Sequence, residues 1–139
     1  MILKNMWLKE VYGRLSMFKR FRDTPTICQE SIAEHSYFVV LITEKLCDYF
    51  GVSHNTKLHA IEMAIYHDIS ESFSDDFTYE IKYKVGSRAF RKALAVIESS
   101  ILQELSEKMA SPKILGLNEE YKDRKSVESR IVKLADWYS

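Results

Sequence analysis

The chain is predicted to be all-α, folded as a single helical bundle over residues 1–139. Three observations predict this class. First, 139 residues contain only four glycines and two prolines, too few turn residues for a fold of many short strands. Second, apolar residues recur at helical spacing almost throughout. Third, the length suits about one domain, and a 46% hydrophobic fraction is enough for a real core.

The elements follow in order. Leu3, Trp7, Val11, Leu15 and Phe18 form one stripe, predicting a first helix from Leu3 to about Phe18. A polar connection with Pro25 follows. Ser31-Ile32-Ala33-Glu34 fits a capping box, with Ser31 as N-cap and Glu34 reaching back to it. The helix it opens carries Ile32, Val39, Ile42 and Leu46 inward and is expected to stop at Gly51. A third helix is predicted from Asn55 to Ser70, with Leu58, Ile61, Ala64 and Ile65 facing the core. The acidic and aromatic segment Ser72 to Tyr79 reads as a loop. Ser87 to Met109 is a long helix bearing Phe90, Leu94, Ile97, Ile101 and Leu105. Ser111 to Asn118, which contains Pro112, reads as a loop, and the last helix is expected over Glu119 to Trp137, presenting Val127, Ile131 and Leu134. There is no repeat, linker or low-complexity stretch.

Composition removes several functions. Twenty basic residues balance twenty acidic ones, giving a formal net charge of zero. A general nucleic-acid or membrane surface usually needs a basic excess, so no nucleic-acid polymer and no membrane partner is expected. A small anionic ligand held by a few local cations fits. No apolar run approaches the roughly 20 residues of a spanning helix, and the N-terminus lacks the pattern of a signal peptide. Cys28 and Cys47 lie far apart and in no paired motif. Free thiols in a reducing cytoplasm are the expectation.

The chemistry concentrates at His35, His67, Asp68 and Asp136. The doublet His67-Asp68 sits where an apolar run, Ala64-Ile65-Tyr66, meets acid. Burying an unpaired charge there is very costly, and a metal ion would be a fitting partner. His35 lies one turn from both Ile32 and Val39 and so points inward. Taken singly, an inward histidine is more often a hydrogen-bonded core residue, and Asp136 could be a surface acid. Their conjunction, each at the inner face or end of a helical segment, favours a cation site. Imidazole with carboxylate suits Mn²⁺, Fe²⁺, Co²⁺, Ni²⁺ or Zn²⁺. Four protein ligands on an octahedral ion would leave two positions for water or substrate. Glu71 follows His67 by four residues and Asp68 by three, so on a continuing helix it shares their face and suits general acid or base work. Asp75 and Asp76 form an acidic pair that could be a solvated loop or could accept hydrogen bonds from sugar hydroxyls. The cationic candidates are Lys19, Arg20, Arg22, Lys82 and Lys84. Arg20 beside Phe21 pairs a guanidinium for phosphate with a ring for a base or sugar. His54 and His59 are expected to be surface histidines.

The order His35, His67-Asp68, Asp136 resembles the metal signature of the HD-domain phosphohydrolases. Glu34-His35-Ser36, Tyr66 to Glu71 and Lys133-Leu134-Ala135-Asp136 are similar in wording to bacterial 5′-deoxynucleotidases and phage dATP triphosphohydrolases. The resemblance covers nearly the whole chain, so residues 1–139 are expected to be one HD phosphohydrolase domain. It implies metal ligation by His35, His67, Asp68 and Asp136, and a catalytic carboxylate at Glu71. The ion would be one divalent cation, Co²⁺, Mn²⁺, Zn²⁺, Ni²⁺, Fe²⁺ or Mg²⁺. Arg20 would contact phosphate. Phe21 stands where those enzymes often carry tryptophan against the nucleoside. Asp76 would approach the 3′-hydroxyl of a deoxyribose, and Lys82 would stand on the substrate side. A homo-oligomer, a dimer or higher, is also implied. Relatives usually continue past the last aspartate, whereas three residues follow Asp136 here, a position expected to fray; either a partner subunit supports a minimal version or the missing segment shaped substrate choice.

The activity expected first is hydrolysis of deoxynucleoside 5′-monophosphates to deoxynucleoside and phosphate. The close alternative is a deoxynucleoside triphosphate triphosphohydrolase, dATPase-like, releasing triphosphate. A non-catalytic nucleotide-binding module, or an enzyme for a signalling nucleotide, stands further off.

Overall fold

The computed structural model describes residues 2–20, 27–74, 82–83 and 87–139, with 2–8 described as backbone. Every named element is helical: α1 (Ile2–Met17), α2 (Ile32–Phe50), α3 (His54–Tyr66), α4 (Glu71–Ser74), α5 (Arg88–Lys108), α6 (Lys113–Asp123) and α7 (Val127–Tyr138). The all-α expectation is met. A short antiparallel bridge, Lys19 to Ser31, closes the connection between α1 and α2. In it, Arg20 N–H donates to the Glu30 carbonyl at 3.0 Å and Ile32 N–H to the Phe18 carbonyl at 3.0 Å.

Serine hydroxyls start most of these helices. Ser31 Oγ accepts from Glu34 N–H at 3.2 Å, while Glu34 Oε2 accepts from Ser31 N–H at 2.6 Å. This is the expected capping box, with two otherwise unpaired amides satisfied reciprocally. Ser53, Ser87 and Ser126 do the single-sided version for α3, α5 and α7. Gly51 ends α2 at φ 62°, the left-handed conformation that glycine adopts without steric cost.

Two elements differ from expectation. Residues 113–123 form helix α6 where a loop was expected through Asn118. Pro112 stands at its N-cap, where a fixed φ near −60° suits a helix start and no amide is needed. The predicted final helix is then divided: Arg124 adopts φ 58°, and Ser126 caps a fresh start. The third helix also ends early, at Tyr66. Beyond it the chain tightens into turns, with Ile69 N–H donating to the Tyr66 carbonyl and Glu71 N–H to that of Asp68.

The core has two centres. Val39, Cys47, Ala60, Met63, Ala64, Ile131, Val132 and Ala135 join α2, α3 and α7. Val11, Leu15, Ile32, Ile69, Leu102, Leu105 and Ile114 join α1, the start of α2, the turn after α3, α5 and α6. Tyr66 packs against both, so the doublet His67-Asp68 begins where the two centres meet. On α3 the inward face is Ala60, Met63 and Ala64, while Leu58 and Ile65 are 52% and 46% exposed. The sequence stripe was therefore rotated toward the bulkier residues. Ile97 on α5 and Val127 on α7, also expected inward, are exposed. Both cysteines are free; Cys28 is exposed and Cys47 buried.

Candidate metal centre and its cavity

Three segments deliver the four expected donors. α2 carries His35 on its second turn, the turn after α3 presents His67 and Asp68, and the last turn of α7 presents Asp136. One ligand atom from each can be chosen so that all lie within 4.8 Å of one another. His35 Nε2 is 3.1 Å from Asp136 Oδ1 and 3.6 Å from Asp68 Oδ2. His67 Nε2 is 3.1 Å from Asp68 Oδ2 and 4.0 Å from Asp136 Oδ1. Both rings are buried, with centroids 5.5 Å apart.

The hydrogen bonds behind the cluster aim it. His67 Nδ1 donates to the Ala64 carbonyl at 2.8 Å, which leaves Nε2 of the neutral ring a bare lone pair facing the acids. That atom is buried and makes no hydrogen bond among the described residues, although Asp68 is close. An orphaned acceptor beside a carboxylate is unfavourable unless something positive sits between them. A divalent cation is such a charge, and two imidazoles with two carboxylates fit one. Without it a proton can serve: burial works against a charged His67, yet Asp68 and Asp136 raise its pKa above the usual value. Asp68 moves the other way, burial being outweighed by His67.

Asp136 is held by its second oxygen. Oδ2 accepts from Tyr121 Oη at 2.8 Å and from Lys133 Nζ at 2.6 Å, leaving Oδ1 toward the histidines. Burial opposes ionisation of Asp136, but hydrogen bonds from His35 and Lys133 hold its carboxyl far below the usual range. Burial, with Asp136 and Asp68 adding to it, keeps the Tyr121 phenol protonated, as a donor must be. The Tyr121 ring also meets His67 edge-on, at 5.5 Å between centroids. Asn118 Nδ2 donates to the His67 carbonyl at 3.3 Å. On the other flank His35 Nδ1 contacts Ser139 Oγ at 2.9 Å and hydrogen-bonds with Arg20 Nη1. Arg20 in turn reaches Glu30 Oε1 at 3.3 Å.

A cavity of about 460 Å³ opens on this cluster. His67, Asp68 and Asp136 line it, and so do Arg20, Glu71 and Lys82 from the expected set. Glu71 gets there through the tight turn and not on a continued helix. Phe21 and Asp76 lie outside the described residues, as do Asp75, Arg22 and Lys84. Lys19 pairs with Glu34 at 3.8 Å. His59, its side chain 41% exposed, pairs at the surface with Glu120, Nε2 standing 2.7 Å from Oε2.

Four further cations line the cavity that sequence reasoning passed over: Arg91, Lys122, Arg124 and Lys133. Three belong to α6, its cap and α7, the stretch whose helix boundaries were misplaced. Lys133 alone had a local signal, since three residues before Asp136 is the same helix face. Nothing local marks Tyr121 or Arg124.

The sequence pattern of the HD domain matches residues 12–139. Solved structures agree in fold. A conserved hypothetical protein from Pyrococcus furiosus is 26% identical with a TM-score of 0.74, over 94% of this chain and 74% of that one. An HD-domain phosphohydrolase from Listeria innocua is 23% identical with a TM-score of 0.74, over 95% and 64%. The cyanophage S-2L HD phosphohydrolase DatZ, bound to dA and one catalytic Zn²⁺ ion, is 24% identical with a TM-score of 0.68, over 91% and 64%. No curated protein matches the chain.

Proposed function

Because the chain belongs to the HD domain family, we propose that it is a metal-dependent phosphohydrolase of deoxynucleotides. The first reading is hydrolysis of deoxynucleoside 5′-monophosphates to deoxynucleoside and phosphate. The observation that carries the metal-dependent activity is the orphaned His67 Nε2 within a four-donor cluster at the mouth of a cavity. DatZ, bound to dA and one catalytic Zn²⁺ ion, supports a deoxynucleotide as the class of ligand.

In this reading His35, His67, Asp68 and Asp136 hold one divalent ion. When bound, the ion activates water and polarises a phosphoryl oxygen. The protein's own residues do the rest. Arg20 and Lys82 neutralise the phosphate from the cavity wall. Glu71 accepts the proton as water adds to phosphorus and returns it to the ester oxygen as the bond from phosphorus to that oxygen breaks. Phe21 packs against the nucleoside, and Asp76 takes the 3′-hydroxyl. The enzyme works as a homo-oligomer, which light scattering tests.

A second reading, release of triphosphate from a deoxynucleoside triphosphate such as dATP, is favoured by one observation. Six cations line the cavity, and beyond Arg20, Lys122 and Lys133, which pair with Glu30, Glu98 and Asp136, Lys82, Arg91 and Arg124 would meet a phosphate chain longer than one group. Product analysis decides between them. Metal-stripped protein receives Mn²⁺ or Co²⁺ and a panel of deoxy- and ribonucleoside mono- and triphosphates. Inorganic phosphate from monophosphates supports the first reading, and triphosphate from dNTPs the second. No product from metal-loaded protein overturns both.

A further inference from the structure

Arg124 occupies a position that does not suit it. It follows α6 at φ 58°, where glycine is strongly favoured and an arginine is strained. Its N–H closes the helix end on the Glu120 carbonyl at 3.3 Å, a bond that any residue with an amide could make. A cation near a helix C-terminus is favourable, but a solvated side chain meets that need. The guanidinium here lies instead over the Tyr121 ring, 3.6 Å from its centroid, and lines the same cavity as Asp68 and Glu71. Its Nη1 is buried with no hydrogen-bond partner among the described residues. The neighbouring cations are engaged: Lys122 with Glu98 at 3.2 Å, and Lys133 with Asp136 at 2.6 Å.

We infer that Arg124 is a phosphate ligand of this cavity. A guanidinium presents a planar fork of donors that matches phosphate oxygens, and an unmet buried donor is stable only if a ligand meets it. The Tyr121 ring supports the fork from below, and the Tyr121 hydroxyl is bound to Asp136. The phosphate site therefore stands one side chain from the four-donor cluster, on the α6–α7 side, while Arg20 stands against His35. The identity of the anion as a nucleotide's phosphate rests on the proposed phosphohydrolase activity. The existence of an anion site does not.

The test is calorimetric titration of the full chain with inorganic phosphate, comparing wild type, Arg124→Lys and Arg124→Gly. The expected result is a loss of phosphate affinity of at least tenfold in Arg124→Gly, with Arg124→Lys between. Glycine relieves the left-handed backbone, so Tm in Arg124→Gly should be no lower than in wild type. Mn²⁺ affinity should stay within about twofold. Unchanged phosphate affinity in Arg124→Gly overturns the inference. So does a joint fall of Tm, Mn²⁺ affinity and phosphate affinity, which would make Arg124 a prop for Tyr121. If no nucleotide is hydrolysed yet Arg124→Gly alone loses phosphate, the anion site stands and the proposed activity falls. If nucleotides are hydrolysed with KM unchanged in Arg124→Gly, the activity stands and the anion site falls.

Discussion

His67 and Asp136 illustrate how far a single side chain is set by what lies behind it. The bond from His67 Nδ1 to the Ala64 carbonyl decides which ring nitrogen faces the cluster, and Tyr121 with Lys133 decides which oxygen of Asp136 does. Such supporting bonds typically govern metal affinity by 10–100-fold. Tyr121→Phe is thus expected to weaken Mn²⁺ or Zn²⁺ binding by roughly tenfold without unfolding the protein, and equilibrium dialysis checks it. Asp68→Asn should lose metal retention altogether, because a neutral amide is a poorer ligand; elemental analysis after gel filtration would detect retained metal. Glu71→Ala should keep its metal while kcat falls by about 10²–10⁴. Unchanged turnover would remove Glu71 from the proton transfer. The four donors were legible as residue types because two histidines and two aspartates at inward helical positions are an unusual set. Tyr121 was not, because a phenol on an amphipathic helix looks like core until its hydroxyl is seen on Asp136.

At the scale of elements, capping was the most readable signal and glycine-proline punctuation the least. The Ser31–Glu34 box sits one residue before His35, so it fixes both where α2 begins and where the first donor falls. Ser31→Ala should cost about 1 kcal/mol, a fall in Tm of roughly 3–5 °C for a chain of this size. The box also titrates. Ser31 backbone and hydroxyl bonds hold the Glu34 carboxyl below its ordinary range. A lowered folded pKa means that this contribution is complete above the unfolded value and is lost as pH falls through the folded one. The Tm difference between wild type and Glu34→Gln should therefore close in acid, which thermal melts from pH 7 down to pH 3 would reveal. Helix α6 escaped sequence reading because the stretch around Pro112, which also holds Gly116, reads as a loop. Pro112 starts a helix instead, and an added Cβ at Gly116 would meet nothing within 4 Å, so that glycine marks no turn. The opposite error hid the break at 124, where a left-handed residue is an arginine and carries no glycine signature.

Across the whole molecule, the donors come from α2, α7 and the turn after α3, three segments whose helices share one core centre. An ion bound by all three is linked to the folding of that centre, because the unfolded chain cannot assemble the set. Saturating metal at about 100 times its Kd should add roughly 2.7 kcal/mol of stability. Melts with Mn²⁺ against melts with chelator should differ by several degrees, and identical curves would show that the cluster holds no ion. No helix of the described residues is long and apolar enough to cross a membrane.

The two thiols turn that coupling into a clock. Cys28 stands open to solvent ahead of α2, whereas Cys47 is packed among Val39, Met63 and Val132. Burial also raises the Cys47 pKa, so the reactive thiolate is scarce even where reagent arrives. A thiol-specific dye should therefore label the chain in two phases, the first immediate and the second paced by opening of the α2–α3–α7 centre. The slow phase counts those openings without any label being introduced. Its slowing on metal addition would report, at Cys47, how tightly the ion closes the bundle.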